Sequence, residues 1–324
     1  MFTKILVPLD QSSLAEQALG TAAGIARAAG ASIELVLVHQ ALPYDGYTDA
    51  PWNAARRGRE YEYLRGIADE LESGARVRVS CSVLAGAPAY AIRARAQEIK
   101  AELIVMTTHG RTGLNRAWMG SIADAVVRSA SVPVLLLHPS KHTALPRVAA
   151  SFKKIIVPLD GSSACLEVLK SAIDVARYDN ADIVLLRIVP PVPFPMIDQS
   201  LPYGVGPIVA DPEATDALVR EVEREVAELA KHVRGEDVRS VETRVIVSEH
   251  VAAAILEQSL VDGADLIAMT THGRGATRLV IGSVADKVLR GTPLPLLLIR
   301  PSTVPVHETA HAGELAATSA PATP

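Results

Sequence analysis

Short runs dense in Val, Ile and Leu recur along the chain, separated by longer stretches with helical spacing. In the first half these runs are Lys4–Leu9, Ser32–His39, Arg76–Val83, Leu103–Thr107 and Val132–His138. Aliphatic runs without polar alternation predict strands buried on both faces. Between them, Ser13–Ala29, Trp52–Glu72, Pro88–Lys100 and Ser121–Ser129 are predicted helices. Ser12 or Ser13 can cap the first helix, and Gly30 stands just past its end. Strand–helix alternation implies right-handed crossovers and a parallel sheet. The second half repeats the pattern, with strands expected at Lys154–Leu159, Asp182–Val189, Val238–Val247, Leu266–Thr270 and Leu294–Arg300. Its second helix, near Pro212–Val233, sets Leu218, Val222, Val226, Leu229 and Val233 on one face. Pro212 suits the first helical position.

The repetition extends to the letters. Lys4-Ile5-Leu6-Val7-Pro8-Leu9-Asp10 returns as Lys154-Ile155-Ile156-Val157-Pro158-Leu159-Asp160. Met106-Thr107-Thr108-His109-Gly110-Arg111 returns as Met269-Thr270-Thr271-His272-Gly273-Arg274, and Gly120-Ser121 as Gly282-Ser283. Four landmarks in one order, counting the aliphatic runs at Val132 and Leu294, mean two copies of one domain. The period is far beyond the ~20–50 residues of a solenoid unit. The expected division is residues 1–140, a linker at 141–151, a second domain at 152–301 and a disordered Pro/Ala/Thr-rich tail at 302–324. The second copy also carries a Pro-rich excursion, Pro190–Asp211, expected to be a lid, a packing surface or a mobile loop.

Composition narrows the partners. A net charge of −4 and a pI near 6.2 offer no basic patch for nucleic acid and no polybasic membrane signal. No apolar run reaches the ~18 residues of a membrane span. Two unmatched cysteines, Cys81 and Cys165, read as reduced thiols, consistent with a cytoplasmic protein.

The chemistry gathers where strands end. After Met106-Thr107 the chain runs through Gly110 and Arg111 to Gly120-Ser121, which opens a helix. Glycines admit backbone N–H groups to an anion, and a helix N-terminus adds orphan donors and the positive dipole end. The bland alternative is a turn at Gly110 and a helix start at Gly120. Asp10 and Asp160, after Pro8-Leu9 and Pro158-Leu159, can each accept hydrogen bonds from a ribose or an adenine amino group. Each can also simply cap the following helix, with Ser12 or Ser162 nearby.

These motifs resemble the universal stress protein family in its tandem form, over roughly residues 1–140 and 151–301. The resemblance implies an α/β fold of two Rossmann-like (adenine nucleotide alpha hydrolase-like) domains, each a five-stranded parallel sheet flanked by helices. The family's nucleotide-binding branch carries G-x-x-G-x9-G-[S/T], and many members bind ATP, which here would bring Mg²⁺ with it. By position, adenine and ribose would meet Pro8, Leu9, Asp10 and Gln40, and the phosphates Met106, Thr107, Gly110, Arg111, Gly120, Ser121 and Ile122. The second-copy set is Pro158, Asp160, Ile188, Met269, Thr270, Gly273, Gly282, Ser283 and Val284. Two departures favour the first copy as the ATP site. The first motif glycine is Thr107 in one copy and Thr270 in the other. The second copy also has eight residues between its last two glycines where the family pattern has nine. The resemblance further implies that the fifth strands of the two copies meet as a pseudo-dimer, with a homodimer as a further level of association.

The expected function is therefore a cytoplasmic, ATP-binding stress-response or regulatory protein. The alternatives are a nucleotide-free member acting through protein contacts, or a slow ATPase. No catalytic residue or bound metal is expected. His109 and His272 lack an evident nucleophile or carboxylate partner and read as loop-stabilising. His307-Glu308-Thr309-Ala310-His311 spells a zinc-protease pattern but lies in the low-complexity tail, without the helix and third ligand that such a site needs.

Overall fold

The structure, a computed structural model, describes residues 2–40, 51–109, 119–139, 151–197, 205–236, 238–271 and 281–301, the side chains of residues 51, 52, 197 and 205–207 excepted. The first half runs β1 (Lys4–Leu9), α1 (Ser13–Glu16), α2 (Ala18–Ala29), β2 (Ser32–His39), α3 (Pro51–Ala75), β3 (Val79–Ala85), α4 (Pro88–Glu98), β4 (Leu103–Thr107), α5 (Ser121–Ser129) and β5 (Val134–Leu137). The second half runs β6 (Lys154–Leu159), α6 (Ala164–Asp179), β7 (Asp182–Val189), β8 (Pro193–Ile197), β9 (Val205–Ala210), α7 (Pro212–Arg234), β10 (Ser240–Val247), α8 (Val251–Val261), β11 (Leu266–Thr270), α9 (Ser283–Gly291) and β12 (Leu296–Ile299). It is an α/β fold, as expected.

Ten strands form one sheet in the order β10-β7-β6-β11-β12-β5-β4-β1-β2-β3. Within each half all pairs of this sheet are parallel. The halves join where β12 pairs antiparallel with β5, placing Leu296 opposite Leu136 and Leu298 opposite Val134. Each of these strands would otherwise offer a bare aliphatic edge. Both faces of the sheet are covered because strand side chains alternate. Ile5 and Val7 enter the core on one face, with Ala22, Ile25 and Leu64. Leu6 enters the other, with Ile92, Val126 and Leu136. That two-sided burial is why the strands show no polar alternation.

The caps follow the sequence signals. Ser12 Oγ accepts from Ala15 N at 3.1 Å and starts α1. Gly30, at φ 67°, ends α2 in the left-handed region, and Asn180, at φ 52°, does the same for α6. Asp211 Oδ1 accepts from Ala214 N to cap α7, whose Val222, Val226, Ala230 and Val233 are buried. Some boundaries differ from expectation. The third strand starts at Val79 rather than Arg76, because Arg76 takes φ 56° just past α3 and cannot continue into a strand. The Pro190–Asp211 excursion contains an antiparallel hairpin, β8–β9. The expected linker at 141–151 lies outside the described residues except for Ser151, and the expected disordered tail at 302–324 lies wholly outside them.

Candidate functional site

In the first half, β1 leads outward to β2 and β3 on one side, while β4 and β5 lie on the other. The carboxyl ends of β1 and β4 therefore flank a topological switch point, where open α/β sheets hold ligands. A cavity of about 380 Å³ opens there. Its floor is the end of β1, Pro8, Leu9 and Asp10, beside the end of β4, Met106, Thr107 and Thr108. One wall is Gly120, Ser121, Ile122 and Ala123, the entry to α5. The rest of the lining is Val38 of β2 and Gln40 just beyond it, with Pro88 and Ile92 of α4 and Ala15 of α1. Nine expected first-copy residues thus line one cavity: Pro8, Leu9, Asp10, Gln40, Met106, Thr107, Gly120, Ser121 and Ile122. Gly110 and Arg111 lie outside the described residues.

The chemistry of the cavity is divided. Val38, Ile92, Met106, Ala15 and Pro8 give an apolar slot, suited to a planar ring. Polar groups share its lining. Asp10 Oδ1 accepts from Ser12 N at 3.0 Å and Ser12 Oγ at 2.6 Å, which fixes the carboxylate at the strand end. The cap of α1 is therefore Ser12, with Asp10 holding that serine, and Asp10 lines the cavity as well. The N-cap of α5 is Gly120, which has no side chain to cap the helix, so among the described residues no side-chain cap takes its first-turn N–H groups. Uncapped donors and the dipole of a nine-residue helix meet the cavity at one point.

The glycine at 120 has a steric reason. Its N–H donates to Thr108 O at 2.8 Å, pulling the backbones together. A Cβ there would stand 3.0 Å from that same carbonyl oxygen. The backbone itself, at φ −60° and ψ 147°, suits any residue. A branched side chain at 120 would therefore strike the β4 loop before it reached any ligand. The Thr107 hydroxyl donates to His109 O at 2.8 Å, so it serves the loop. His109 Nδ1 shares a hydrogen bond of 3.1 Å with Thr108 Oγ1.

In the second half, Pro158 and Asp160 end β6, Met269 and Thr270 end β11, and Gly282 leads into α9. Gly282 N donates to Thr271 O at 2.7 Å, so the shorter loop does not displace the entry to α9. Gly273 lies outside the described residues. The pairing of Ile188 with Gln40 is corrected by the sheet register. Lys4 lies opposite Ser32 and Lys154 opposite Asp182, which makes Ile188 the counterpart of Val38 and Pro190 that of Gln40. The buried Ile188 is one methylene larger than the valine it matches. Ala15, on the first cavity's wall, is replaced by Cys165, whose Sγ donates to Asp160 Oδ1 at 2.9 Å. Burial pushes the Cys165 thiol up, against an opposing contribution from the Asp160 backbone N–H and a supporting one from the Asp160 carboxylate. Ser283 and Val284 line a different hollow of about 350 Å³, facing His250 and Val251 at the start of α8 and Lys287. Pro158, Asp160, Ile188, Met269 and Thr270 do not line it.

Val38, Ala15, Pro88, Ile92, Thr108 and Ala123 were not expected in the cavity. One signal was available for Val38, since it shares a strand face with Gln40 two residues on.

Comparison with known proteins settles the family. The universal stress protein family model matches residues 1–138 and again 151–300. The chain belongs to the universal stress protein family. A universal stress protein of Methanocaldococcus jannaschii is 31% identical over 145 residues, covering 44% of this chain and 85% of that protein. One from Mycobacterium tuberculosis is 27% identical over 209 residues, or 63% of each chain. The chain thus spans under two thirds of that longer relative. Among solved structures, a universal stress protein from Archaeoglobus fulgidus superposes with a TM-score of 0.67 at 17% identity, covering 92% of this chain and 98% of its own. A Pseudomonas aeruginosa chain superposes at 0.62 with 18% identity, covering 93% and 94%. At those identities the likeness is one of fold. Among the described residues no helix is long and apolar enough to cross a membrane, and no three His, Cys, Asp or Glu side chains stand together as a metal site.

Proposed function

We propose that this universal stress protein is a cytoplasmic regulator that binds one ATP, in the first half. The observation that carries this reading is the cavity at the β1/β4 switch point, whose lining joins apolar side chains to a fixed carboxylate and to the start of α5. The slot takes the adenine, and Asp10 accepts from the ribose hydroxyls. The triphosphate lies toward the first-turn N–H groups of α5, where Ser121 adds a hydroxyl. Magnesium enters with the phosphates. The second half is the weaker binder, because the hollow beside Ser283 and Val284 is lined by neither Pro158 nor Asp160, and the Asp160 carboxylate accepts from Cys165. The two domains, 1–140 and 152–301, act as an internal pseudo-dimer through the β5–β12 seam.

Regulation requires that ATP favour one of two states. The element that would report occupancy is α5. Its first turn borders the cavity, and Arg128, in its last turn, pairs with Asp124 at 2.7 Å. Asp286 of the other half adds to the field that raises the Arg128 pKa, after the Asp124 hydrogen bond. Phosphates at one end of α5 would thus bias contacts across the seam.

The test is to purify the chain without added nucleotide, denature it and quantify released adenine nucleotide by chromatography. Copurified ATP that leaves no free phosphate on incubation supports a binder. Steady phosphate release would favour the slow-ATPase reading, and an empty protein that also ignores added Mg-ATP would favour the nucleotide-free one.

A further inference from the structure

Strand β2 carries a carboxylate in an aliphatic run. Glu34 is 3% exposed and shares a sheet face with Val36 and Val38, the face that α4 and α5 cover. Its Oε1 accepts from the Arg95 guanidinium at 2.6 Å and from Ser82 Oγ at 2.8 Å. Arg95 also donates to Ser82 Oγ at 3.2 Å and pairs with Glu98 at 2.8 Å. The elements β2, β3 and α4 thus meet at one buried carboxylate.

An ion pair buried this far adds little stability over an apolar pair of like volume, because desolvation offsets the attraction. The second half shows an apolar solution. By strand register and helix length, Val184 stands for Glu34, Arg244 for Ser82 and Gln258 for Arg95. Val184 is fully buried, and Arg244 pairs with Glu242 and Asp262. What the charged version adds is direction. A guanidinium fork fits one placement of its carboxylate, whereas aliphatic contacts tolerate sliding. Helix α4 needs that constraint, since its buried side chains are Ile92 and the small Ala91 and Ala96.

The constraint reaches the cavity through the helix. Pro88, Ile92 and Arg95 follow one another at i, i+4 and i+7, on one face of α4. Pro88 and Ile92 line the cavity, and Arg95 lies one turn beyond Ile92. A rigid helix carries a displacement along its length, so a slip or roll at Arg95 also moves Ile92. The two halves differ accordingly. The hollow of the second half is lined by Val251, the counterpart of Pro88, but not by Ile255, the counterpart of Ile92. The half that has the ion pair is the half whose cavity extends along the helix to its second turn.

We propose that Glu34, Ser82 and Arg95 are positioning residues for the nucleotide cavity, clamping α4 onto β2 and β3 so that Pro88 and Ile92 stand fixed against the adenine. This inference rests on the ATP reading above. None of the three lines the cavity, so they act through the helix. A binding wall works when its groups are held within about 0.5 Å of the productive geometry. Loss of the clamp therefore appears as weaker nucleotide binding in a chain that is as stable as before.

Two variants of the full chain separate positioning from stability. Arg95→Met leaves the Glu34 carboxylate buried without its cation and should lower both the melting temperature and the Mg-ATP affinity. Glu34→Val/Arg95→Met supplies the apolar pairing that the second half uses. Its melting temperature should return to the wild-type value, while its Mg-ATP affinity in calorimetric titration stays about tenfold weaker. Hydrogen exchange without nucleotide should lose protection over residues 88–98 and keep it over 121–129. Ser82→Ala removes one hydroxyl and retains the ion pair; it should show the same two effects at smaller size, and it carries the test if the double variant does not fold. Affinity that recovers together with the melting temperature would overturn the proposal, since a network that merely stabilises the fold predicts that recovery. Unchanged protection of α4 in the folded variants would overturn it as well. A wild-type chain that binds no Mg-ATP would overturn the nucleotide reading and this inference with it, whereas wild-type binding matched by the double variant sinks the clamp alone.

Discussion

The substitution Ser121→Asp separates a phosphate-facing helix start from an ordinary one, because the two roles predict opposite signs. Ser121 is the first residue of α5, is exposed and lines the cavity. A carboxylate in the first turn of a helix interacts favourably with the dipole, by about 0.3–1 kcal/mol. Stability should therefore stay level or rise slightly. A bound triphosphate would meet that carboxylate at the same uncapped N–H groups. At about 5 Å and an effective dielectric near 20, each opposed unit charge costs roughly 3 kcal/mol. Screening in a cleft open to water lowers this to about half, so Mg-ATP affinity should fall by roughly 10- to 100-fold. Calorimetric titration gives the affinity, and a thermal melt without nucleotide gives the stability. Ser283→Asp, the same change at α9, should leave both the stoichiometry and the affinity as they were. A folded Ser121→Asp protein that binds Mg-ATP as well as wild type would refute the placement of phosphate at α5.

Three further outcomes follow from the packing. Gly120→Ala forces a Cβ to 3.0 Å from the Thr108 carbonyl, so the loop must shift; a loss of about 1–2 kcal/mol in denaturant unfolding is expected, together with weaker nucleotide binding. Leu136→Ala empties a fully buried site opposite Leu296 at the seam and should cost about 2–5 kcal/mol in the same assay. His138 is held neutral in the fold, chiefly by burial with His109 adding to the effect, below its ordinary value of 6.5. The unfolded chain then binds the extra proton, so stability is intact above about pH 6.5 and declines as pH falls below it. His138→Leu should flatten that acid limb of urea midpoints between about pH 7.5 and 5.5, and an unchanged slope would show that other groups govern it.

The fold was legible because parallel strands buried on both faces announce themselves as aliphatic runs, and the duplicated Lys-Ile-x-Val-Pro-Leu-Asp placed them twice. The hairpin was not, because its prolines break the alternation that marks a strand, and pairing within an excursion leaves no long-range signal. Arg76 was read as strand because sequence does not report a left-handed backbone angle. Within the site, the ends of β1 and β4 and the start of α5 were visible as repeated motifs. Ala15 and Ile92 were not, since an aliphatic residue lining a cavity reads the same as one filling a core. The counterpart of Gln40 was misassigned because register between β6 and β7 is a property of the sheet; letter matching does not supply it.

The account stands most directly on the stoichiometry of Mg-ATP binding to the nucleotide-stripped full chain, measured by isothermal titration. One saturable site per chain, abolished or strongly weakened by Ser121→Asp and indifferent to Ser283→Asp, is the predicted result. No heat and no saturation at millimolar nucleotide, in a chain whose fold is intact by circular dichroism, would contradict it.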